Sequence, residues 1–422
     1  MMGIIIFVAF AILLILTVPI GIALGLSSMI ALMIEGSIPL EFIMKELTTS
    51  TNSFPLLAIP FFILAGEIMG KGGISKRLIA VAESLVGSVT GGLALTAIVT
   101  CMFFAAISGS GPATVAAVGG IMIPAMVKKG YDIKFSTAVV ASAGSIGVII
   151  PPSIPMVMYG VSGSVSIGDM FLAGIIPGIL VGLGLMAYAY YYAKKAGYKG
   201  NSQKISIVNI GKQVWNAKWS LLIPVIILGG IYGSIFTPTE AAAVAVFVGF
   251  IIGAFVYREL KWKDLSSVFI DSALMTATIL IIVGSATGFG KLLAMEQIPN
   301  QIATALLSFS DNKFTIILMI IVLLLIVGCF MDTIAAIIIL TPILLPIATH
   351  VGYDPIHFGI IMIVALAIGF VTPPVGVNLF VGSSIAGISL EALSKKIIPF
   401  IIVMVIVLLI ITFIPTLSIL LI

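Results

Sequence analysis

The residues best placed to do chemistry are oxygen-bearing side chains that interrupt long apolar runs. Ser108 and Ser110 lie in S-G-S-G-P-A-T, and Asp332 follows the apolar stretch that ends G-C-F-M. Hydroxyl and carboxylate oxygens bind small cations, and a carboxylate between apolar runs usually has a function. Both segments therefore predict ion sites at membrane depth. The alternatives are a glycine-serine packing patch at the first segment and a structural hydrogen bond at Asp332.

Two proline pairs form the other chemically distinctive segments. They lie in G-V-I-I-P-P-S-I-P (147–155) and G-F-V-T-P-P-V-G-V-N (369–378). Paired prolines remove backbone donors and break a helix, so the carbonyls before them are free to bind a ligand. The alternative is that each pair only kinks a helix. The nearby side chains able to hydrogen-bond a ligand are Ser145, Ser153, Thr372 and Asn378.

Composition places these segments in a membrane. The chain has 422 residues, of which 61% are hydrophobic and 9% charged, against about 25% charged in soluble proteins. Its continuous apolar runs predict many membrane helices and exclude an alternating, porin-like barrel. Its two cysteines, two histidines and lack of a phosphate-binding motif exclude ATP binding and most metal sites. The first residues lack a basic region, which argues against a cleaved signal peptide.

The chain also repeats itself at an offset of 222 residues. Gly147 and the first proline pair fall on Gly369 and the second pair, and Ser110 falls on Asp332. We therefore predict a first repeat at 1–200, a cytoplasmic linker at 201–217 and a second repeat at 218–422.

Each half predicts the same series of elements. In the first half these are helices at 3–17 and 19–34, a semi-polar arm at 35–53, a helix at 55–70, a short basic stretch to 89, an apolar pair at 90–127 with its tip at 108–114, a helix interrupted at 149–153, and a helix at 168–193. The counterparts in the second half include an amphipathic arm at 258–271 and a tip at 328–333. The apolar pieces on either side of 108–114 meet at a glycine-rich tip, so we predict re-entrant hairpins that enter and leave the membrane on one side. In T-P-T-E, Glu240 predicts a helix cap.

The distribution of basic residues predicts that the halves are inverted. With five crossings per half and both termini outside, 17 of the 20 basic residues lie on the cytoplasmic side, as the positive-inside rule requires. Lys45, Lys291 and Lys313 are the exceptions. The cytoplasmic set is Lys71, Lys76, Arg77, Lys128, Lys129, Lys134, Lys194, Lys195, Lys199, Lys204, Lys212, Lys218, Arg258, Lys261, Lys263, Lys395 and Lys396. Inverted repeats with broken helices are typical of secondary transporters.

The motifs resemble a known transporter family. S-G-S-G-P-A-T-V-A-A-V-G, the two P-P elements and F-T-P-T-E-A-A-A-V resemble the large membrane subunit of the tripartite ATP-independent periplasmic (TRAP) transporters, over essentially the whole chain. The resemblance implies sodium-driven import of an organic acid, such as a C4-dicarboxylate, sialic acid or related sugar acid. It implies a separate small four-helix membrane subunit, a soluble periplasmic binding protein, and an elevator mechanism in which a transport domain moves against a scaffold.

The resemblance also implies the site residues. One sodium site would draw on Ser108, Ser110, Gly111, Ser145 and Pro151, and the other on Gly328, Asp332, Thr333, Thr372 and Pro373. Substrate would lie between them, near Pro152, Ser153, Pro374 and Asn378. Sodium is the coupling ion, and no cofactor is expected.

Two other function classes compete with this interpretation. A stand-alone ion-coupled carrier or sodium/proton antiporter would have the same composition and repeats, but would need no binding protein. An intramembrane enzyme would need a nucleophile–base pair or metal cluster, and no histidine accompanies Asp332. No visible pore-lining ring supports a channel. The sequence leaves the substrate, the sodium stoichiometry and the oligomeric state open.

Overall fold

The structure, a computed structural model, describes residues 2–36, 38–201, 206–309 and 312–422. Every regular element in those ranges is helical, which confirms the predicted all-α class. Lys204 of the predicted cytoplasmic set lies outside the described residues, as does the stretch 202–205 of the predicted linker.

Among the described residues, the first half of the chain forms ten α-helices. They are α1 Met2–Ile15, α2 Ile20–Glu35, α3 Glu41–Thr51, α4 Ala58–Lys71, α5 Ile74–Val86, α6 Gly92–Ser108, α7 Gly111–Lys128, α8 Ile133–Gly144, α9 Ile154–Gly163 and α10 Ile167–Ala196. Short 3-10 turns precede α4 at Phe54–Leu57 and follow α8 at Ser145–Val148.

In the described part of the second half there are eleven more. They are α11 Ile207–Asn216, α12 Lys218–Tyr232, α13 Pro238–Ile251, α14 Trp262–Met295, α15 Ile298–Phe309, α16 Lys313–Phe330, α17 Thr333–His350, α18 Pro355–Gly369, α19 Val377–Ala386, α20 Leu390–Phe413 and α21 Thr416–Ile419. A π-helical turn, Ile252–Val256, extends α13.

Many of these helices are long and apolar enough to cross a membrane. Among the described residues there are eight, or nine if the bent pair α11–α12 forms one span. Shorter apolar helices, such as α1, α2 and α6, add to this set. The fold is therefore that of a multi-pass membrane protein.

The predicted helix breaks are confirmed. The chain leaves helical geometry between α6 and α7, between α8 and α9, between α16 and α17, and between α18 and α19. The predicted cap before α13 is a full capping box between Thr237 and Glu240. The second arm, 258–271, differs from the prediction, because most of it is the beginning of the 34-residue helix α14. No Gly or Pro separates its polar start from the apolar stretch that follows, so nothing breaks the helix there. The inverted relation between the halves stays a prediction.

The helices pack in two groups. In the frame, defined as α1–α4 and α12–α14, α4 packs on α13 while α14 packs on α2 and α3. In the core, defined as α6–α10 and α16–α20, α9 packs on α17, and α19 packs on α7 and α8. Each broken helix thus reaches across to the hairpin of the other half of the chain. Frame and core meet mainly where α14 contacts α17 and where α4 contacts α6.

A cluster of charged side chains lies at the turn before α14 and links the frame to α5. Arg77 Nη1 lies 2.7 Å from Glu259 Oε1, and Lys76 Nζ lies 3.1 Å from Glu259 Oε2. The Arg77 guanidinium also stacks over the Tyr257 ring, at 3.6 Å from its centroid. The hydrogen bond from Arg77 lowers the pKa of Glu259 below its ordinary value. These contacts join α5 of the first half to α13 and α14 of the second.

Candidate functional site

The first hairpin tip, between α6 and α7, is pressed against the first proline pair. Gly109 ends α6 at φ +61°, a conformation that favours glycine. A Cβ added there would fall 2.9 Å from the Pro152 carbonyl oxygen. The Ile154 amide donates to the Gly109 carbonyl at 3.3 Å. Glycine therefore lets the tip approach the backbone at the start of α9.

Hydroxyl groups fix the shape of this tip. Thr114 Oγ1 donates to the Ser110 carbonyl at 2.7 Å and lies 2.9 Å from Ser108 Oγ. All three side chains are buried. The proton of Thr114 is used on the Ser110 carbonyl, so Ser108 is the donor in the bond between the two hydroxyls. The network holds several neutral oxygens together in an apolar surrounding.

The interrupted helix faces the tip directly. The 3-10 turn Ser145–Val148 brings Gly147 against Thr114 Oγ1 and the Ser110 carbonyl. Pro151 and Pro152 follow, joined by a cis peptide bond and buried. Ser153 then caps α9 and donates to the Val148 carbonyl at 2.6 Å.

Asn378, from the second half of the chain, also enters this first site. Its Nδ2 donates to the Ala141 carbonyl at 3.1 Å and to Ser145 Oγ at 3.2 Å. A carbonyl only accepts, so the Ala141 contact fixes which end of the amide is nitrogen. Oδ1 then lies beside Gly111, and this fully buried atom has no hydrogen-bond partner among the described residues. A buried oxygen left unpaired is costly, and a bound cation or an ordered water would satisfy it.

The second tip, between α16 and α17, contacts its interrupted helix at a different level. Gly328 in the last turn of α16 lies directly against Gly369 at the end of α18, backbone to backbone. Beyond this contact the tip turns away. Phe330 is 60% exposed and Met331 is partly exposed. The second tip is therefore less deeply seated than the first.

Asp332 caps the helix that leaves the second tip. Its Oδ2 accepts from the Ile334 amide at 2.9 Å, and the side chain is half-buried. Thr333 beside it is buried. Thr372 donates to the Ile368 carbonyl at 2.8 Å, just before the cis pair Pro373–Pro374. Pro374 and Val375 are exposed.

The predicted residues assemble unevenly. Ser108, Ser110, Gly111 and Ser145 come together at the first tip, with Pro151, Pro152 and Ser153 next to them. Asn378, predicted with the substrate residues, lies among them. At the second tip, Gly328 meets the end of α18, Asp332 and Thr333 begin α17, and Thr372, Pro373 and Pro374 follow α18.

Two residues of the first site were missing from the predicted ligand set. Thr114 belongs to the predicted tip, and Gly147 opens the predicted broken-helix motif, so both were visible as parts of motifs. The contact that brings Asn378 to Ser145 joins residues 233 positions apart. No local signal in the sequence predicts that contact.

The chemistry available at both tips is that of oxygen ligands. Among the described residues, no three His, Cys, Asp or Glu side chains are grouped as a transition metal would need. Hydroxyl, amide and carbonyl oxygens suit a weakly bound hard cation, and unwound carbonyls near half-helix ends bind sodium in transporters. The N-terminus of α9, capped by a neutral serine, favours an anion, whereas that of α17 already carries the Asp332 carboxylate.

Sequence comparison identifies a family. A family model described as the tripartite ATP-independent periplasmic transporter, DctM component, matches residues 7–417. The isethionate TRAP transporter permease protein DctMQ of Oleidesulfovibrio alaskensis is 54% identical over 96% of this chain; the chain spans 64% of that protein. The C4-dicarboxylate TRAP large permease DctM of Pseudomonas aeruginosa is 42% identical, over 94% of this chain and 92% of its own length. The sialic acid TRAP large permease SiaM of Vibrio cholerae is 37% identical, over 96% and 94%.

Solved structures share the fold at low sequence identity. The YdaH transporter of Alcanivorax borkumensis superimposes with a TM-score of 0.63 at 13% identity, covering 88% of this chain and 87% of its own. MtrF of Neisseria gonorrhoeae, described as illuminating a class of antimetabolite efflux pumps, gives 0.61 at 14% identity, covering 88% and 83%. At this identity the likeness concerns the fold alone.

Proposed function

Because the chain belongs to the DctM component family of the TRAP transporters, we propose that it imports a small organic acid in symport with sodium. The chain is a transport component and not an enzyme, and it is a multi-pass protein of the inner membrane. Its relatives are named for isethionate, C4-dicarboxylates and sialic acid. The proposed substrate is therefore an organic anion of that size range, delivered by a periplasmic binding protein. A small four-helix membrane subunit completes the proposed complex.

The observation that carries the sodium proposal is the unpaired oxygen at the first tip. Asn378 Oδ1 is buried beside Gly111 and has no hydrogen-bond partner among the described residues. Ser145 Oγ contacts the same Asn378 amide, and the hydroxyls of Ser108 and Thr114 flank Gly111 in the tip. A sodium ion held by these oxygens would satisfy Asn378. The proposed ligands are Ser108, Ser110, Gly111, Ser145 and the carbonyl of Pro151, with Asn378 added.

The second proposed sodium site lies at the other tip. Its proposed ligands are Gly328, Asp332, Thr333, Thr372 and Pro373. It differs from the first site by one full negative charge, that of Asp332. The Asp332 carboxylate accepts an amide of α17, so its negative charge lies at the start of that helix, beside the tip. A charged ligand favours tighter binding than a hydroxyl does.

The proposed substrate site lies between the two tips. Pro152, Ser153 and Pro374 surround the places where the backbone is unwound, and the N-termini of half-helices carry partial positive charge. We propose that the core carries substrate and sodium across while the frame stays fixed, in an elevator movement, with the halves inverted and both termini periplasmic. The grouping of helices into frame and core supports this division.

Uptake into proteoliposomes tests the proposed function. The chain would be reconstituted with its small membrane partner, with the binding protein and labelled isethionate, succinate or sialic acid outside. We expect uptake to require an inward sodium gradient and the binding protein. Sodium-driven uptake without the binding protein would indicate a stand-alone carrier. Uptake that is indifferent to sodium would contradict the proposed coupling.

A further inference from the structure

A cavity of about 430 Å³ separates the frame from the core. Its frame wall comes from α3 and α14, and its core wall from α9 and α17. The lining is largely apolar, with hydroxyls of Ser53 and Ser162 among it. A cavity of this size matches a small-molecule site, which is usually apolar with a few polar groups.

Lys291 of α14 brings a positive charge to this cavity. Of the described residues that line it, Lys291 alone is charged. Its Nζ lies 2.6 Å from Glu46 Oε2 of α3, and half of its side chain is exposed, whereas that of Glu46 is largely covered. An ammonium group has three donors, and one of them is used by Glu46. The others are free to meet an anion in the cavity.

Two helices that line the cavity, α9 and α17, begin at the interrupted helix and at the second tip. Met158 of α9 lies four residues beyond the first residue of its helix, and Ile338 of α17 lies five beyond its own. At a rise of about 1.5 Å per residue, both helix N-termini are within roughly 8 Å along the helix axes. An anion in the cavity would therefore lie between a lysine of the frame and the sides of α9 and α17, beyond the first turn of each helix.

We propose that Lys291 binds the anionic head group of the transported organic acid in this cavity, as the contact that the frame contributes to substrate selection. This inference rests on the proposed function. In the sequence analysis, Lys291 was only an exception to the positive-inside rule. Glu46 competes with the substrate for the same ammonium group, because both are anions.

Three variants separate charge recognition from a structural ion pair. Lys291→Gln should raise the KM for uptake about tenfold, with a smaller change in maximal rate, because a charged contact is lost. Lys291→Arg should stay within about threefold of wild type, since the charge is kept. Glu46→Gln breaks the same ion pair but frees Lys291, so its KM should fall or stay unchanged. If Lys291→Gln and Glu46→Gln both raised the KM, the ion pair would be structural and the proposal wrong.

Thiol labelling gives a readout that does not depend on transport. In a chain with Cys101 and Cys329 changed to alanine, Thr287→Cys places a thiol on the cavity wall. An anionic methanethiosulfonate should react with it faster than a cationic one, and Lys291→Gln should lower that rate ratio several-fold, because a nearby charge changes local reagent concentration. The exposed Thr416→Cys is the matched control, and its ratio should not change.

The outcomes distinguish this proposal from the proposed function. Normal wild-type uptake with an unchanged KM in Lys291→Gln would overturn the role of Lys291 and leave sodium-coupled uptake intact. Failure of the wild type to transport would overturn the proposed function, and the labelling ratio would still decide whether the cavity attracts anions through Lys291. If Lys291→Gln left the ratio of anionic to cationic labelling rates at Thr287→Cys unchanged, the proposed role of Lys291 would be rejected.

Discussion

The two hairpin tips occupy matching positions in the chain, yet one is closed and the other is open. Ser108, Ser110, Pro152 and Ser153 at the first tip are all buried. At the second tip, Phe330 is 60% exposed, and Pro374 and Val375 lie at the surface. The same pattern of breaks thus produces two sites that differ in how far their residues are exposed at the protein surface.

The difference follows from residues at corresponding positions. Gly109, at φ +61°, approaches the Pro152 carbonyl, whereas its counterpart at the 222 offset, Met331, has an extended backbone at φ −120°. A side chain at that position prevents the same close approach. Ser110 corresponds to Asp332, and a carboxylate resists burial more than a hydroxyl does. The first tip is therefore closely packed and uncharged, whereas the second is more loosely packed and carries a charge.

The comparison of the two tips treats them as counterparts in inverted halves. Thiol labelling from one side of the membrane tests that inversion. A cysteine at position 201, in the segment between the halves, should react with an impermeant thiol reagent only from the cytoplasmic side. Position 201 should therefore be labelled from the cytoplasmic side and not at all from the periplasmic side. The reaction would be followed in right-side-out and inverted vesicles, with a cysteine at exposed Glu35 as the control of opposite sidedness. Labelling of position 201 from the periplasm would mean that the tips are not inverted counterparts.

The difference in access predicts a large difference in reactivity at a matched pair of positions. Ser153 and Val375 correspond at the 222 offset, and they are 0% and 39% exposed. In the cysteine-free background, Val375→Cys should react roughly tenfold or more faster than Ser153→Cys, because accessibility limits thiol reactivity. Rates would be measured with an uncharged maleimide. Equal rates would mean that both tips open to the same degree.

Asp332 and Ser110 test whether charge separates the two sites. Asp332→Asn should raise the sodium concentration for half-maximal uptake about tenfold or more, and Ser110→Ala only about two- to fivefold, because hydrogen bonds and contacts of charged groups are stronger. Both variants should remain folded, as judged by size-exclusion profile and melting temperature. Unchanged sodium dependence in Asp332→Asn would remove Asp332 from the site.

The smallest effect is expected from crowding the closed tip. Gly109→Ala should lower stability by about 1–3 kcal/mol, because it forces a side chain into a left-handed, crowded position. The matched control is Gly120→Ala, which lies in α7 with open space around it and should be neutral or slightly stabilising. Thermal unfolding in detergent would measure both. Equal melting temperatures of the two variants would show that the tip accommodates the added side chain without loss of stability.

Local patterns predicted the helix breaks, and distant contacts escaped prediction. The S-G-S-G-P-A-T and P-P segments carry their own backbone signals, so α6, α7, α8 and α9 end near the predicted positions. The resemblance to TRAP large subunits, carried by the same motifs, is confirmed by the family match. The place of Asn378 at the first tip depends on packing between α19 and α7, and that of Lys291 on a cavity between groups of helices. The sequence around Asn378 and around Lys291 contains no pattern that predicts either position.

The unbroken helix α14 connects the frame to the thickness of the lipid. Its 34 residues correspond to roughly 51 Å at a rise of about 1.5 Å per residue, whereas the hydrocarbon layer is about 30 Å. The helix must therefore tilt or extend beyond the layer, and a thinner or thicker bilayer would change that balance. Because α14 is continuous from its polar start to Lys291, a change in bilayer thickness would act on both ends of the same helix.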